Sequence, residues 1–239
     1  MIEVFKKSDQ AYGEFNNGDI IENKPIGFPG ENNSLKAYSN LFYWAHATAK
    51  VDSTIGLHPH KGFEIMTFVL DGEIKHYDTL IEKWIDLKKG DIQLIQSGSG
   101  ISHSEHMQKD SSIFQIWFDP DISKTIQQKA NYQDFKSDNF IEKNNITKLV
   151  GKSCPIEVES ENIEIFRLSI EENFKMDIES AYIYSIYLIR GNARINSKIL
   201  KKDDFIKIYD EETIDFNANK KCEFFIIKSP QETSYKTYI

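Results

Sequence analysis

The sequence predicts an all-β protein built as two tandem β-barrels, and two observations carry that prediction. Short segments rich in aromatic and β-branched residues alternate with polar turns along almost the whole chain. The segments of the second half then repeat those of the first.

In the N-terminal half, Phe63 to Leu70, Trp84 to Leu87, Asp91 to Ile95 and Ile113 to Phe118 read as strands, with turns at Asp71-Gly72 and Lys89-Gly90-Asp91. In the C-terminal half, Ile163 to Ile170, Ala181 to Ile189, Phe205 to Tyr209 and Cys222 to Ile227 read the same way, with turns near Arg190-Gly191-Asn192 and Lys202-Asp203-Asp204. Leu87 to Ile95 resembles Leu200 to Ile208, and Val69-Leu70-Asp71-Gly72 has its counterpart in Leu188-Ile189-Arg190-Gly191. Between the halves, Ser123 to Asn145 is polar and Asn-rich and reads as a linker with a helical turn or two. The expected domains are a metal-binding barrel over 1–122, a linker over 123–145, and a barrel without a metal site over 146–239.

At 239 residues with 40% apolar content, the chain can bury the core that two such barrels need. A formal net charge of −8 argues against a general nucleic-acid surface, which draws on clustered Lys and Arg. No apolar run approaches the roughly 18 residues of a membrane span, so a soluble cytoplasmic protein is expected. Cys154 and Cys222 are too few and too far apart for a disulfide framework. A monomer is expected, because the second barrel covers what a single barrel would present to a partner.

All the histidines, His46, His58, His60, His76, His103 and His106, lie in the N-terminal half, so any histidine-rich site belongs there. In an extended strand, residues two apart share a face. His58 with His60 therefore forms one pincer, and His103 with Glu105 another. Three imidazoles and a carboxylate suit a divalent iron, manganese, nickel, copper or zinc ion and leave positions open for substrate or dioxygen. Counting back from Gly191 as His58 and His60 lie before Gly72 gives Asp177 and Glu179, and the later ligand positions fall near Phe216 and Ala218, so no comparable site is expected in the second half. His76 has the parity of Ile74 and reads as an interior histidine with a structural partner. His106 reads as outward-facing, and His46 has a weak claim on the pocket. The aromatics Phe42, Tyr43, Trp44, Phe63, Phe68 and Trp117 read mainly as core.

The segments His58-Pro59-His60-Lys61-Gly62-Phe63-Glu64, Leu70-Asp71-Gly72-Glu73 to His76-x-Asp78, Gly90-Asp91-x-Gln93, Gly98-x-Gly100-Ile101-x-His103-Ser104-Glu105 and Gln115-Ile116-Trp117 follow one another in the order of a known pattern. That pattern resembles the pirin-like bicupins, and Tyr132-Gln133-Asp134 is similar as well. The resemblance implies two tandem cupin (jelly-roll-like) barrels, with a metal, iron(II) first and zinc, manganese, nickel, cobalt or copper also compatible, held by His58, His60, His103 and Glu105. It implies that Glu105 rather than Glu64 is the carboxylate ligand, leaving Glu64 in support. It also implies quercetin 2,3-dioxygenase activity, which opens a flavonol or related phenolic ring with dioxygen, with Glu105 as the catalytic base. The alternative it carries is a non-enzymatic iron-binding regulator or redox sensor. The chain departs from the family in Thr79 to Trp84 and at Ser99, neither of which touches a ligand position.

Overall fold

The computed structural model describes residues 1–32 and 35–238. Strands dominate, and the chain divides into two compact units, Gln10–Asn139 with Tyr235–Ile239, and Met1–Asp9 with Phe140–Ser234. The strand segments read from the sequence are all present, most of them displaced by a residue or so at their ends.

The N-terminal unit packs two antiparallel sheets. In spatial order, the larger contains Asn131–Phe135, Ile92–Gln96, Glu64–Asp71, Ser112–Phe118, Leu41–Ala49, Ile20–Ile26 and Ala11–Phe15. The smaller contains Ser53–His60, Ile101–Met107, Glu73–Asp78 and Ile85–Lys88. The C-terminal unit repeats this order. Its larger sheet runs Ile2–Phe5, Phe205–Ile208, Tyr182–Arg190, Cys222–Pro230, Glu164–Ile170, Ile146–Val150 and Glu142–Lys143. Its smaller sheet runs Phe174–Asp177, Thr213–Asn217, Asn192–Ile195 and Lys198–Lys201.

The repeat extends to the turns. Gly72 and Gly191 open matching hairpins with φ of +72° and +92°, and a Cβ there would sit 2.8 Å from Ser111 or 2.6 Å from Cys222 Sγ, so both positions require glycine. Asp91 Oδ2 accepts from the Lys88 amide at 3.1 Å, and Asp204 Oδ2 accepts from the Lys201 amide at 2.8 Å. The resemblance of Leu87–Ile95 to Leu200–Ile208 thus reflects one turn used twice.

The structure draws the unit boundaries differently from the reading of 1–122, 123–145 and 146–239. Ile2–Phe5 pairs with Phe205–Ile208 and so completes the C-terminal sheet. Asn131–Phe135, inside the expected linker, occupies the equivalent edge of the N-terminal sheet against Ile92–Gln96. Its polar outer residues give it no clear alternation, which is why it reads as linker. The expected helical turn is present at Ile122–Thr125, capped by Asp121, whose side chain accepts from the Ser123 amide at 3.2 Å.

Register also corrects the residue count across the repeat. Glu105 pairs with His76, which pairs with Ile85; in the second unit Phe216 pairs with Ile195, which pairs with Lys198. Likewise His103 pairs with His58, and Ile214 with Met176. The counterparts of His58, His60, His103 and Glu105 are therefore Met176, Ile178, Ile214 and Phe216, rather than Asp177, Glu179 and residues near Phe216 and Ala218. The counts slip in the connections: the stretch from Ile178 to Ile186 is one residue longer than that from His60 to Thr67, and the stretch from Ile206 to Ile214 is two residues shorter than that from Gln93 to His103. All four counterparts lie in or against the apolar core of that unit.

Candidate metal centre

Three histidines converge inside the N-terminal barrel. His58 and His60 project from one strand and His103 from its neighbour, and the pairing of His103 with His58 sets them side by side. One ligand nitrogen of each lies within 4.8 Å of the others. The ring centroids are 4.4 Å apart for His58 and His103, 4.8 Å for His58 and His60, and 4.7 Å for His60 and His103.

The protonation of these rings suits them to ligation. Burial, reinforced by the neighbouring imidazoles, depresses His103 to about 2 and His60 to about 3. Both are neutral at physiological pH. His58 Nδ1 bonds the Gly56 carbonyl at 2.8 Å, which directs its proton to Nδ1 and leaves Nε2 as the donor atom. His60 Nε2 and both ring nitrogens of His103 are buried without a hydrogen-bond partner. Orphaned buried nitrogens are costly unless something binds them. The neutral rings of His60 and His103, with His58 Nε2 beside them, fit a divalent cation.

Glu105 stands beside this triangle. It is 1% exposed, and its Oε1 lies 3.6 Å from His103 Nδ1, a dipolar contact because that histidine is neutral. Burial raises its carboxyl above the usual range, against the pull of His58 and His76 and of a 2.5 Å hydrogen bond from Gln115 Nε2. Trp117 Nε1 in turn donates to Gln115 Oε1 at 3.2 Å. The sequence signal for a role of Gln115 is a polar residue in the middle of the apolar run Ile-Phe-Gln-Ile-Trp-Phe. Thr67 and Gln93 interrupt their own strands in the same way and pair in register with Gln115 across the sheet. Both are fully buried, and Thr67 Oγ1 and both amide atoms of Gln93 have no partner.

His76 is interior, as its parity predicts. Its Nε2 meets Asp78 Oδ2 at 2.7 Å, and Asp78 Oδ1 accepts from the Leu80 and Ile81 amides at 2.8 and 2.7 Å. Tyr132 stacks on the His76 ring at 4.5 Å and 10°. Glu64 is also fully buried and accepts from Gln96 Nε2 at 3.1 Å, but its neighbours Ile65 and Thr67 take the inward face, so it does not reach the histidines. His106 points away and bonds Thr54 Oγ1 at 2.9 Å, and His46 packs edge-on against Phe114 at 5.2 Å. Neither belongs to the site.

Aromatic side chains enclose the open side of the triangle. Trp117 lies edge-on to His60 at 4.7 Å, within an apolar cluster that includes Phe42, Tyr43, Ile101, Phe63 and Phe28. Tyr238, near the chain end, packs against Phe42 and Phe63 at 5.6 and 5.4 Å.

The family model described as Pirin matches residues 14–118, the segment that carries every residue of this centre except Tyr132 and Tyr238. Residues 14–118 are a pirin domain. Several curated relatives bear dioxygenase names. The quercetin 2,3-dioxygenase of Escherichia coli K12 is 26% identical over 180 residues, 73% of this chain and 76% of its own. A putative quercetin 2,3-dioxygenase of Zymomonas mobilis is 25% identical over 194 residues, 77% of this chain and 80% of its own. Among solved structures, the bacterial pirin YhhW of E. coli in complex with nickel(II) superposes with a TM-score of 0.83 at 21% identity, covering 96% of this chain and 99% of that one. The bicupin architecture is thus shared beyond the pirin domain itself. No helix among the described residues is long and apolar enough to cross a membrane.

Proposed function

We propose that the chain is a metal-dependent dioxygenase of the quercetin 2,3-dioxygenase type, acting with dioxygen on a flavonol or related phenol. The observation that carries this reading is the convergence of His58, His60 and His103, the last two neutral and with buried nitrogens that no hydrogen bond satisfies, beside the buried carboxyl of Glu105. His58 Nε2, His60 Nε2 and a ring nitrogen of His103 would hold the ion, and Glu105 would complete the set. Iron(II) is the expected occupant, with nickel, the ion named for the E. coli pirin, the first alternative; the donor set accepts either. A bound ion supplies Lewis acidity and a redox centre.

The remaining work falls to side chains. Glu105 carries a carboxyl whose proton affinity burial has raised, so it takes up the proton of a phenolic hydroxyl more readily than an exposed glutamate. Gln115 holds Oε1, which leaves Oε2 free to receive that proton. Trp117, Phe42 and Phe63 offer flat apolar surface to a planar aromatic ring and keep water from the deprotonated substrate. The relatives' names support the substrate class.

The test is metal analysis of the purified chain followed by oxygen uptake and carbon monoxide release with a flavonol panel. Metal with uptake by at least one flavonol is expected. Metal without oxygen consumption would overturn the enzymatic reading in favour of an iron-binding regulator.

A further inference from the structure

The small sheets of the two units present outer faces that differ in one respect. In the N-terminal unit, Glu73 pairs with Lys88 and Lys75 with Asp86 across the hairpin after Gly72. Each pair is an ion pair, at 3.6 and 3.4 Å. The hairpin after Gly191 has the same register, with Asn192 opposite Lys201 and Arg194 opposite Ile199. Here the cations remain and both carboxylates are gone. Among the described residues, Arg194 and Lys220 take part in no ion pair, although acidic residues outnumber basic ones 37 to 29 in the chain.

Asn192, Arg194 and Ile199 line a hollow of about 750 Å³ together with Lys220, Lys221, Asn217 and Asn219, and Ile199 is exposed there. No carboxylate lines it. Asp215 faces the adjoining hollow, and Glu223 is shared among Arg167, Arg190 and Lys221 at 3.4, 3.7 and 3.9 Å. A guanidinium offers a planar fork of donors matched to an oxyanion, and asparagine amides add neutral donors. The volume falls in the range of roughly 300–1,000 Å³ typical of small-molecule sites. The patch is too short, and the chain too acidic, for a nucleic-acid backbone.

We infer that this hollow on the C-terminal unit binds a small organic oxyanion, a phosphate or a carboxylate, through Arg194, Lys220 and the surrounding asparagines. The site is separate from the histidine triangle and does not depend on the reading of that centre.

Calorimetric titration of the full chain with pyrophosphate and with citrate, at ionic strength matched with sodium chloride, tests it. Saturable binding of at least one is expected. Tighter pyrophosphate assigns the phosphate class, and tighter citrate the carboxylate class. The exposed double variant Arg194→Gln/Lys220→Gln should weaken binding at least about tenfold. So should Asn192→Glu/Ile199→Asp, which installs the carboxylates of the N-terminal hairpin. No saturable binding by the native chain, or affinity unchanged in both double variants, overturns the proposal. The second result would place the anion at the histidine centre or elsewhere.

Discussion

At matched positions of the two barrels, the N-terminal unit places His58, His60, His103, Glu105 and His76, and the C-terminal unit places Met176, Ile178, Ile214, Phe216 and Ile195. The cross-strand row Thr67, Gln93 and Gln115 corresponds, in the same register, to Ile186, Ile206 and Ile226. The pleats and strand order are alike, so the backbone does not decide which barrel holds a site. What differs is whether the interior is filled with hydrocarbon or with polar side chains, several of whose buried atoms lack protein partners. The C-terminal core spends its interior on burial, each apolar side chain contributing about 1.5–3 kcal/mol. The N-terminal interior leaves that stabilisation unrealised and keeps a polar layer between two apolar clusters.

The comparison breaks most visibly if the C-terminal interior is made to resemble the other. Phe216→Glu puts a carboxyl where nothing solvates it, and should destabilise the chain by at least about 4 kcal/mol in denaturant unfolding. The equivalent glutamate at 105 is tolerated only because Gln115 and the imidazoles face it. Glu105→Gln keeps the volume and the hydrogen-bonding site but removes the base. It should retain most of the metal and lower turnover by about 100-fold, as loss of a general base does. Unchanged oxygen uptake would remove Glu105 from that role.

Much of the centre was legible in the sequence, because strand parity is local. Spacing alone puts His58 with His60 and His103 with Glu105 on shared faces and turns His76 inward, while the preference for Glu105 over Glu64 rests on the family resemblance. The rest depends on chain-distant pairing. Nothing around Tyr132 indicates that Asn131–Phe135 joins the sheet edge and stacks that ring on His76, and nothing near Ile2–Phe5 indicates that it completes the barrel made by the far half of the chain. The slips of one and two residues in matching the repeats arose in the same way, since register is set by pairing and not by counting. Gln115, Thr67 and Gln93 carried a local signal, each a polar residue inside an apolar strand, but only the assembled interior shows that they share a row.

Smaller substitutions sharpen the contrast. Gln115→Ile, the residue of the other barrel, frees Glu105 Oε1 and should weaken metal affinity or turnover by about tenfold, the usual cost of losing a group that orients a ligand. A change in stability without either loss would make Gln115 a packing residue only. Gln93→Ile removes amide atoms that have no partner and should raise stability by about 1 kcal/mol, read as a higher melting temperature. A fall instead would mean that ordered water satisfies that amide.

The central claim is that one barrel, through three named histidines, holds the metal. Elemental analysis of the purified chain beside His58→Ala/His103→Ala tests it most directly. The account predicts one ion per chain in the native protein and a nearly complete loss in the double variant, with melting of both proteins followed to show that they are folded. A full complement of metal in the folded double variant would contradict it.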